Sequence, residues 1–368
     1  SKAAIAGGIS SFIEMPNTLP QTTTIEEWER KTKLAENTSF ANYAFMFGGT
    51  NDNLDEILAL DIKRVPALKI FLGSSTGNML VDNPKILREI FSNTDLVIAV
   101  HCEDETTIRE NMSKAEVIFG EDIPIEQHPI IRSDEACYLS SFQAITLAKE
   151  TGARLHVFHI STAKELSLFR NDIPLKDKKI TAEVCVHHLW FTSDDYALKG
   201  TNIKWNPSIK TKQDRDALWA GLNSDLLDVI ASDHAPHSME EKSNKYKNAP
   251  SGGPLVQHSL PALLSAHHQG KITLEKIVEK ACHNPAILFD IKERGYIREG
   301  YFADLTFVNL DKEHLVEKSN ILYKCGWSPF EGTTFKGSVE RTLLNGQWAY
   351  KDGEVQPVSA AKALIFDR

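Results

Sequence analysis

Short apolar runs rich in β-branched residues alternate along this chain with longer amphipathic stretches of helical period. That alternation is the mark of βα units feeding a parallel sheet. Seven such runs predict strands over residues 9–15, 40–47, 67–72, 96–101, 154–159, 180–186 and 227–232. Helical stretches lie between them. T-I-E-E-W-E-R-K-T-K-L-A-E-N opens on a Thr24 cap ahead of two glutamates, and D-N-P-K-I-L-R-E-I-F sets Asp82 and Pro84 at a helix start.

Eight parallel strands close a (β/α)8 barrel of about 250 residues. Seven strands within the first 232 residues therefore predict an α/β fold, a TIM-like barrel whose first strand is missing from this chain. The competing arrangement is an open doubly wound sheet. It is disfavoured because no glycine-rich dinucleotide fingerprint follows a strand, and polar residues gather at strand C-termini, where barrels carry their chemistry. After about residue 284 the pattern changes. A-D-L-T-F-V-N-L at 303–310, and the segment 339–350 with an N-G turn at Asn345 and Gly346, read as short alternating strands of a small β appendage. The expected organisation is a barrel over residues 1–284 and a C-terminal segment over 285–368 contributing to a small β-sandwich.

With 368 residues, 42% hydrophobic and 25% charged, the composition is that of an ordinary soluble protein. Lys and Arg total 41 against 50 Asp and Glu, a net charge of −9, and no basic run occurs. This argues against nucleic acid and anionic membranes as partners. No apolar stretch approaches the roughly 20 residues that span a bilayer. The five cysteines are odd in number and form no C-x-x-C pair, which points to a reducing cytoplasm.

The polar residues at strand ends carry the candidate chemistry. His101 ends L-V-I-A-V-H, His159 ends R-L-H-V-F-H, and Asp233 follows V-I-A-S. One such histidine alone reads as a hydrogen-bonded rim residue. Two imidazoles and a carboxylate converging on one barrel face suit a borderline metal such as zinc. Lys69 lies inside the apolar strand A-L-K-I-F-L-G, where an unpaired ammonium costs several kcal/mol or loses its proton. Either it pairs with a carboxylate at the rim, or its neutral amine adds carbon dioxide to give a carbamate able to bridge two metal ions. In S-D-H-A-P-H, Asp233 and His237 flank a proline and must lie on a loop. There Asp233 can act as metal ligand and proton acceptor while His237 reaches a substrate anion.

His187 and His188 are adjacent, so their side chains diverge and read as structural or rim residues. Asn17 in M-P-N-T and Asn206 in W-N-P-S are turn formers, or amides that bind a carboxylate or ureide. The run A-P-S-G-G-P from Ala249 to Pro254 offers backbone N–H groups at the same mouth and reads as a lid.

In order and spacing, the stretches A-A-I-A-G-G-I-S-S-F-I-E-M-P-N-T, V-H-C-E-D, H-I-S-T-A-K, V-H-H-L-W-F-T, K-W-N-P-S-I-K-T-K-Q-D-R, S-D-H-A-P-H and S-P-F-E-G-T-T-F-K-G-S-V resemble the dihydroorotases of the amidohydrolase superfamily. The resemblance runs over essentially the entire chain. It implies two zinc ions per subunit, with His101 and His159 on the more buried one. Lys69 would be the carbamylated bridge, and Asp233 the ligand that shuttles the proton. It also implies substrate contacts from Asn17, Asn206, His237, Ser251 and Gly252, on a small anionic substrate. Dimerisation is an expectation of the family, and association with other pyrimidine-pathway enzymes is compatible with it.

One departure stands out. The family's first strand carries an H-x-H motif and a following arginine, and no such motif precedes Ser1. The expectation is that the chain is a piece of a longer protein, the alternative being a naturally truncated homologue. The implied activity is reversible hydrolysis of dihydroorotate to N-carbamoyl-aspartate. The rivals are an allantoinase or hydantoinase activity on a related cyclic amide, and a catalytically inactive homologue kept as a scaffold.

Overall fold

A computed structural model describes residues 1–73, 79–357 and 361–368. Each of the seven apolar runs holds a strand: β1 (Ser11–Glu14), β2 (Asn42–Phe45), β3 (Phe47–Gly48), β4 (Leu68–Phe71), β5 (Ile98–His101), β6 (Leu155–Val157), β7 (Ile180–Cys185) and β8 (Val229–Ala231). The run at 40–47 is interrupted at Met46, which divides it into β2 and β3. β1 pairs in parallel with β2, and β3 to β8 form one parallel sheet in sequential order. Sequential neighbours throughout are the order of a barrel; a doubly wound sheet would reverse direction at a switch point. Among the described residues β8 and β1 are not paired with each other.

Alternation along the strands separates two cores. Leu68 and Ile70, Ile98 and Val100, Leu155 and Val157 face outward and pack with Ile90, Phe91, Ala144, Ile145 and Ala148 of the surrounding helices. The residues between them face inward: Ala67, Ala99, Phe158 and Val229 share a second core with Leu288, Phe289, Leu364 and Phe366. Lys69 stands two positions from Ala67, and His101 two from Ala99, so the two-residue period directs both into the barrel. Register places Lys69 beside Ala99, and Phe71 beside His101.

The helices follow their caps. Thr24 accepts a hydrogen bond from the Glu27 N–H at the head of helix Ile25–Thr38, as expected. The helix Pro84–Asn93 is capped one residue later than the sequence suggested, by Asn83 on the Lys85 N–H, with Pro84 in its first turn.

Beyond the barrel, β9 (Leu305–Leu315), β10 (Thr334–Leu344), β11 (Gln347–Lys351) and β12 (Glu354–Val355) form an antiparallel sheet in the order β12-β11-β10-β9. β9 and β10 are longer than the alternation predicted. Asn345 and Gly346 turn β10 into β11 with φ of 47° and 83°, the pair of positive angles that a tight hairpin needs. No helix among the described residues is long and apolar enough to cross a membrane.

Candidate active site

The C-terminal ends of the parallel strands carry four of the singled-out residues on one face of the sheet. His101 closes β5 and His159 follows β6, and their rings meet with Nδ1 of His101 3.0 Å from Nε2 of His159. Both are buried, and burial holds both below the usual imidazole range, so they are neutral. His159 adopts φ of 39° and Asp233 φ of 45°, left-handed backbone that non-glycine residues keep only where surroundings impose it.

Lys69 is 2% exposed, with its Nζ 3.9 Å from the centroid of the Phe158 ring and 4.9 Å from that of Phe71. No carboxylate within ion-pair distance joins it among the described residues. Burial lowers its amine to about 8, while the charges of Glu183 and Asp233 act the other way. Asp233 is half-buried on the loop after β8. Burial, and then the charge of Glu183, raise its carboxyl to about 7, against the pull of Lys69. The cluster is therefore a pair of neutral imidazoles, an amine easily deprotonated and a carboxyl that holds or releases a proton near neutrality.

His159 Nδ1 is a buried nitrogen with no hydrogen-bond partner. The ring nitrogens that face each other would each gain by turning to a cation. Among the described residues no three His, Cys, Asp or Glu side chains stand as a ready-made cage. The donor chemistry fits a metal, with two imidazoles and a carboxylate supplemented by whatever Lys69 supplies.

A second group lies on the neighbouring loops. Ser251 Oγ donates to Asn206 Oδ1 at 3.0 Å. The Gly252 N–H donates to the Lys204 carbonyl at 2.8 Å, and Gly252, at φ of 119°, lies so close to Ala235 that a Cβ would fall 2.5 Å from its carbonyl oxygen. His237 is half-buried, its Nδ1 3.7 Å from Glu241 and its carbonyl accepting from Trp327 Nε1 at 2.8 Å. The structure thus brings Asn206, Ser251, Gly252 and the 233–237 loop together. Asn17 is exposed on the loop leaving β1, and no contact joins it to either group among the described residues. The run Ala249–Pro254 is not a lid: Ala249, Gly252, Gly253 and Pro254 are buried. The Gly252 N–H is also already bonded, so the run is a fixed wall of the mouth.

His187 and His188 are both buried, in the short helix Val186–Trp190. His187 stacks on Trp205 with centroids 4.5 Å apart, and His188 Nε2 lies 3.1 Å from the Pro207 carbonyl, so both support the loop that carries Asn206.

Sequence reasoning missed several residues. Glu103 is fully buried, with Oε2 2.5 Å from Arg132 Nη1 and 2.9 Å from His101 Nε2. Burial pushes its carboxyl up, but Arg132 and His101 outweigh burial and hold it at about 2. It orients the His101 ring from behind. Glu103 stands two residues from His101 in V-H-C-E-D, a signal that was available; Arg132, far along the chain, gave none. Glu183, inward on β7, acts on both Lys69 and Asp233 and lies 3.2 Å from His156 Nε2.

Comparison with known proteins follows the same lines. The model of the amidohydrolase family matches residues 1–349. The chain is 33% identical over 357 residues to a dihydroorotase of Pyrococcus furiosus, covering 96% of this chain and 76% of that protein. It is 33% identical over 344 residues to a dihydroorotase of Methanosarcina mazei, covering 90% and 74%. Among solved structures, an L-hydantoinase (dihydropyrimidinase) from Arthrobacter aurescens superposes with a TM-score of 0.92 at 29% identity, over 99% of this chain and 82% of that one. A dihydropyrimidinase from Brevibacillus agri shares the fold, with a TM-score of 0.84 at 21% identity over 100% and 83%.

Proposed function

This chain belongs to the amidohydrolase family, and we propose that it is a metal-dependent dihydroorotase that interconverts (S)-dihydroorotate and N-carbamoyl-L-aspartate. The observation that carries the reading is a pairing at one rim. Two neutral histidines, a buried lysine and Asp233 lie beside a wall of amide and hydroxyl groups suited to an anion.

His101 and His159 would hold the metal through ring nitrogens released from their mutual contact, and Asp233 through its carboxylate. Lys69 would join them as a carbamate, formed when its neutral amine bonds to the carbon of carbon dioxide and releases a proton. Zinc bound there supplies Lewis acidity toward the ring carbonyl and lowers the pKa of water to about 7. Asp233 would accept the proton of the attacking water and pass it to the ring nitrogen as the amide C–N bond breaks. Asn17, Asn206, His237 and Ser251 would receive the substrate's carboxylate and ureide through neutral donors, with Gly252 contributing the close-packed backbone of the wall beside them, so the net charge of −9 is no obstacle. Two zinc ions per subunit and a place in cytoplasmic pyrimidine biosynthesis complete the proposal.

The likeness to the L-hydantoinase favours one second reading, hydrolysis of a related cyclic amide without the carboxylate. Turnover of dihydroorotate in both directions, by zinc-supplemented protein expressed from its whole gene, separates the two. Turnover abolished by a chelator and restored by zinc is the expected result. Hydrolysis of hydantoin or allantoin without dihydroorotate would transfer the protein to the sister activity, and silence on all three would leave the scaffold reading.

A further inference from the structure

Two buried lysines stand outside the cluster around Lys69. Lys242 is 0% exposed, and its Nζ meets backbone carbonyls: Gly252 at 2.8 Å, Pro250 at 2.9 Å and Lys204 at 3.3 Å. Lys204 is bound in the same manner, its Nζ 2.6 Å from the carbonyls of both Tyr246 and Ala249, with the Tyr246 ring 4.5 Å away. Among the described residues no carboxylate offsets the burial of either, which lowers Lys204 to about 8 and Lys242 to about 7. A buried ammonium without a counter-charge costs several kcal/mol, and an apolar residue of the same length would avoid that cost. Their retention calls for a role.

The carbonyls supply one. Tyr246, Ala249, Pro250 and Gly252 belong to a single turn, so the two ammonium groups grip that turn from inside. The three acceptors around Lys242 match the three donors of an ammonium. The peptide between Pro250 and Ser251 is trans, so turning the Pro250 carbonyl toward Lys242 turns the Ser251 N–H the opposite way. No acceptor among the described residues takes that N–H. On its far side the turn is locked to the Asp233 loop: the Ala235 N–H donates to the Gly253 carbonyl at 3.1 Å, and His234 pairs with Gly253 in a parallel bridge.

We infer that Lys242, backed by Lys204, is a positioning residue that fixes the Ser251–Gly253 backbone against the Asp233 loop and presents the Ser251 N–H and hydroxyl to the substrate's anionic group. The inference rests on the reading above that this wall receives a carboxylate. The ammonium groups act through the peptides they hold and touch no substrate.

The zinc-loaded enzyme with Lys242→Met, and separately with Lys204→Met, tests this through two readouts. Hydrogen exchange read by mass spectrometry should show amides of 246–253 exchanging at least ~10-fold faster in either variant, with the strands β4 to β6 unchanged. KM for dihydroorotate should rise about 10-fold or more, while kcat at saturation falls less than about 3-fold. Unchanged exchange in 246–253, or a fall in kcat with KM intact, overturns the inference. Lys204→Met carries the test if Lys242→Met does not fold. Silence of the unmodified enzyme toward dihydroorotate would sink the functional reading instead, and exchange would still decide whether the lysines hold the turn.

Discussion

At the N-terminal end of the parallel strands, Lys178 lies 2.7 Å from Asp228, and each side chain is 3% exposed. Beside them Lys280 and Lys276 stand 2.7 and 2.8 Å from Asp225, and Asp290 receives both Arg154 at 2.9 Å and Arg368 at 3.1 Å. At the C-terminal end Lys69, Lys204 and Lys242 are as deeply buried, yet none has a carboxylate at ion-pair distance among the described residues. The same residue type is thus treated in two ways within one barrel. Where the partner is built in, the charge serves the fold, because removing either member strands the other in a poor solvent. Where the partner is lacking, the charge is either given up or directed at peptides and ligands, which is why perturbed groups collect at working sites.

The contrast breaks most sharply if Asp233 proves dispensable. Asp233→Asn keeps the shape and removes the proton-carrying group, so kcat should fall on the order of 10³-fold while the melting temperature moves by only a few degrees. Turnover close to the unmodified enzyme in a steady-state assay would remove the proton shuttle from the reading.

A paired substitution sharpens the comparison on stability. Lys178→Met strands Asp228 and should cost about 3 kcal/mol in urea unfolding, with kcat preserved. Lys69→Met removes a buried, unpaired amine and should change stability by less than about 1 kcal/mol, or raise it, while turnover is lost. Equal destabilisation by both would erase the distinction between the two ends.

The smallest effect concerns Asp225. Burial raises its carboxyl, but hydrogen bonds from Lys276 and Lys280 outweigh burial and hold it at about 2, below its ordinary 3.8. A carboxyl depressed in the fold contributes stability that is present above the unfolded value and lost as pH falls through the folded one. Because the side chain is half exposed, solvent screening keeps that contribution below about 1 kcal/mol. The melting temperature of the unmodified protein should therefore exceed that of Asp225→Asn by about 1 °C at pH 6, and the gap should close between pH 4 and pH 2. A gap that stays constant with pH would assign the difference to packing.

Much of this was legible in the residue order. Strands buried on both faces leave apolar runs, so all seven barrel positions could be read, and a polar residue ending such a run could only sit at the rim. That logic found His101, His159 and Asp233. Lys69 was legible for the opposite reason, as a charge where the run should have been apolar. What could not be read depends on residues that the fold brings together from a distance. Arg132 reaches Glu103, and Lys204 reaches carbonyls more than 40 positions away. A backbone carbonyl as acceptor leaves no trace in side-chain identity, so nothing in the sequence singles out Lys204 and Lys242. The same blindness made Ala249–Pro254 look like a lid, since glycine and proline mark a tight wall as readily as a mobile flap.

The left-handed backbone at His159 and Asp233 has an evolutionary consequence. Glycine at either position would relieve strain of order 1 kcal/mol while deleting a group that the proposed mechanism uses. Selection for turnover is then what keeps a lineage from drifting toward the more comfortable sequence. In a descendant released from that selection, the first substitutions to spread at positions 159 and 233 would make the protein sturdier and silent, and the loss would be hard to reverse because each step back restores strain before it restores any benefit.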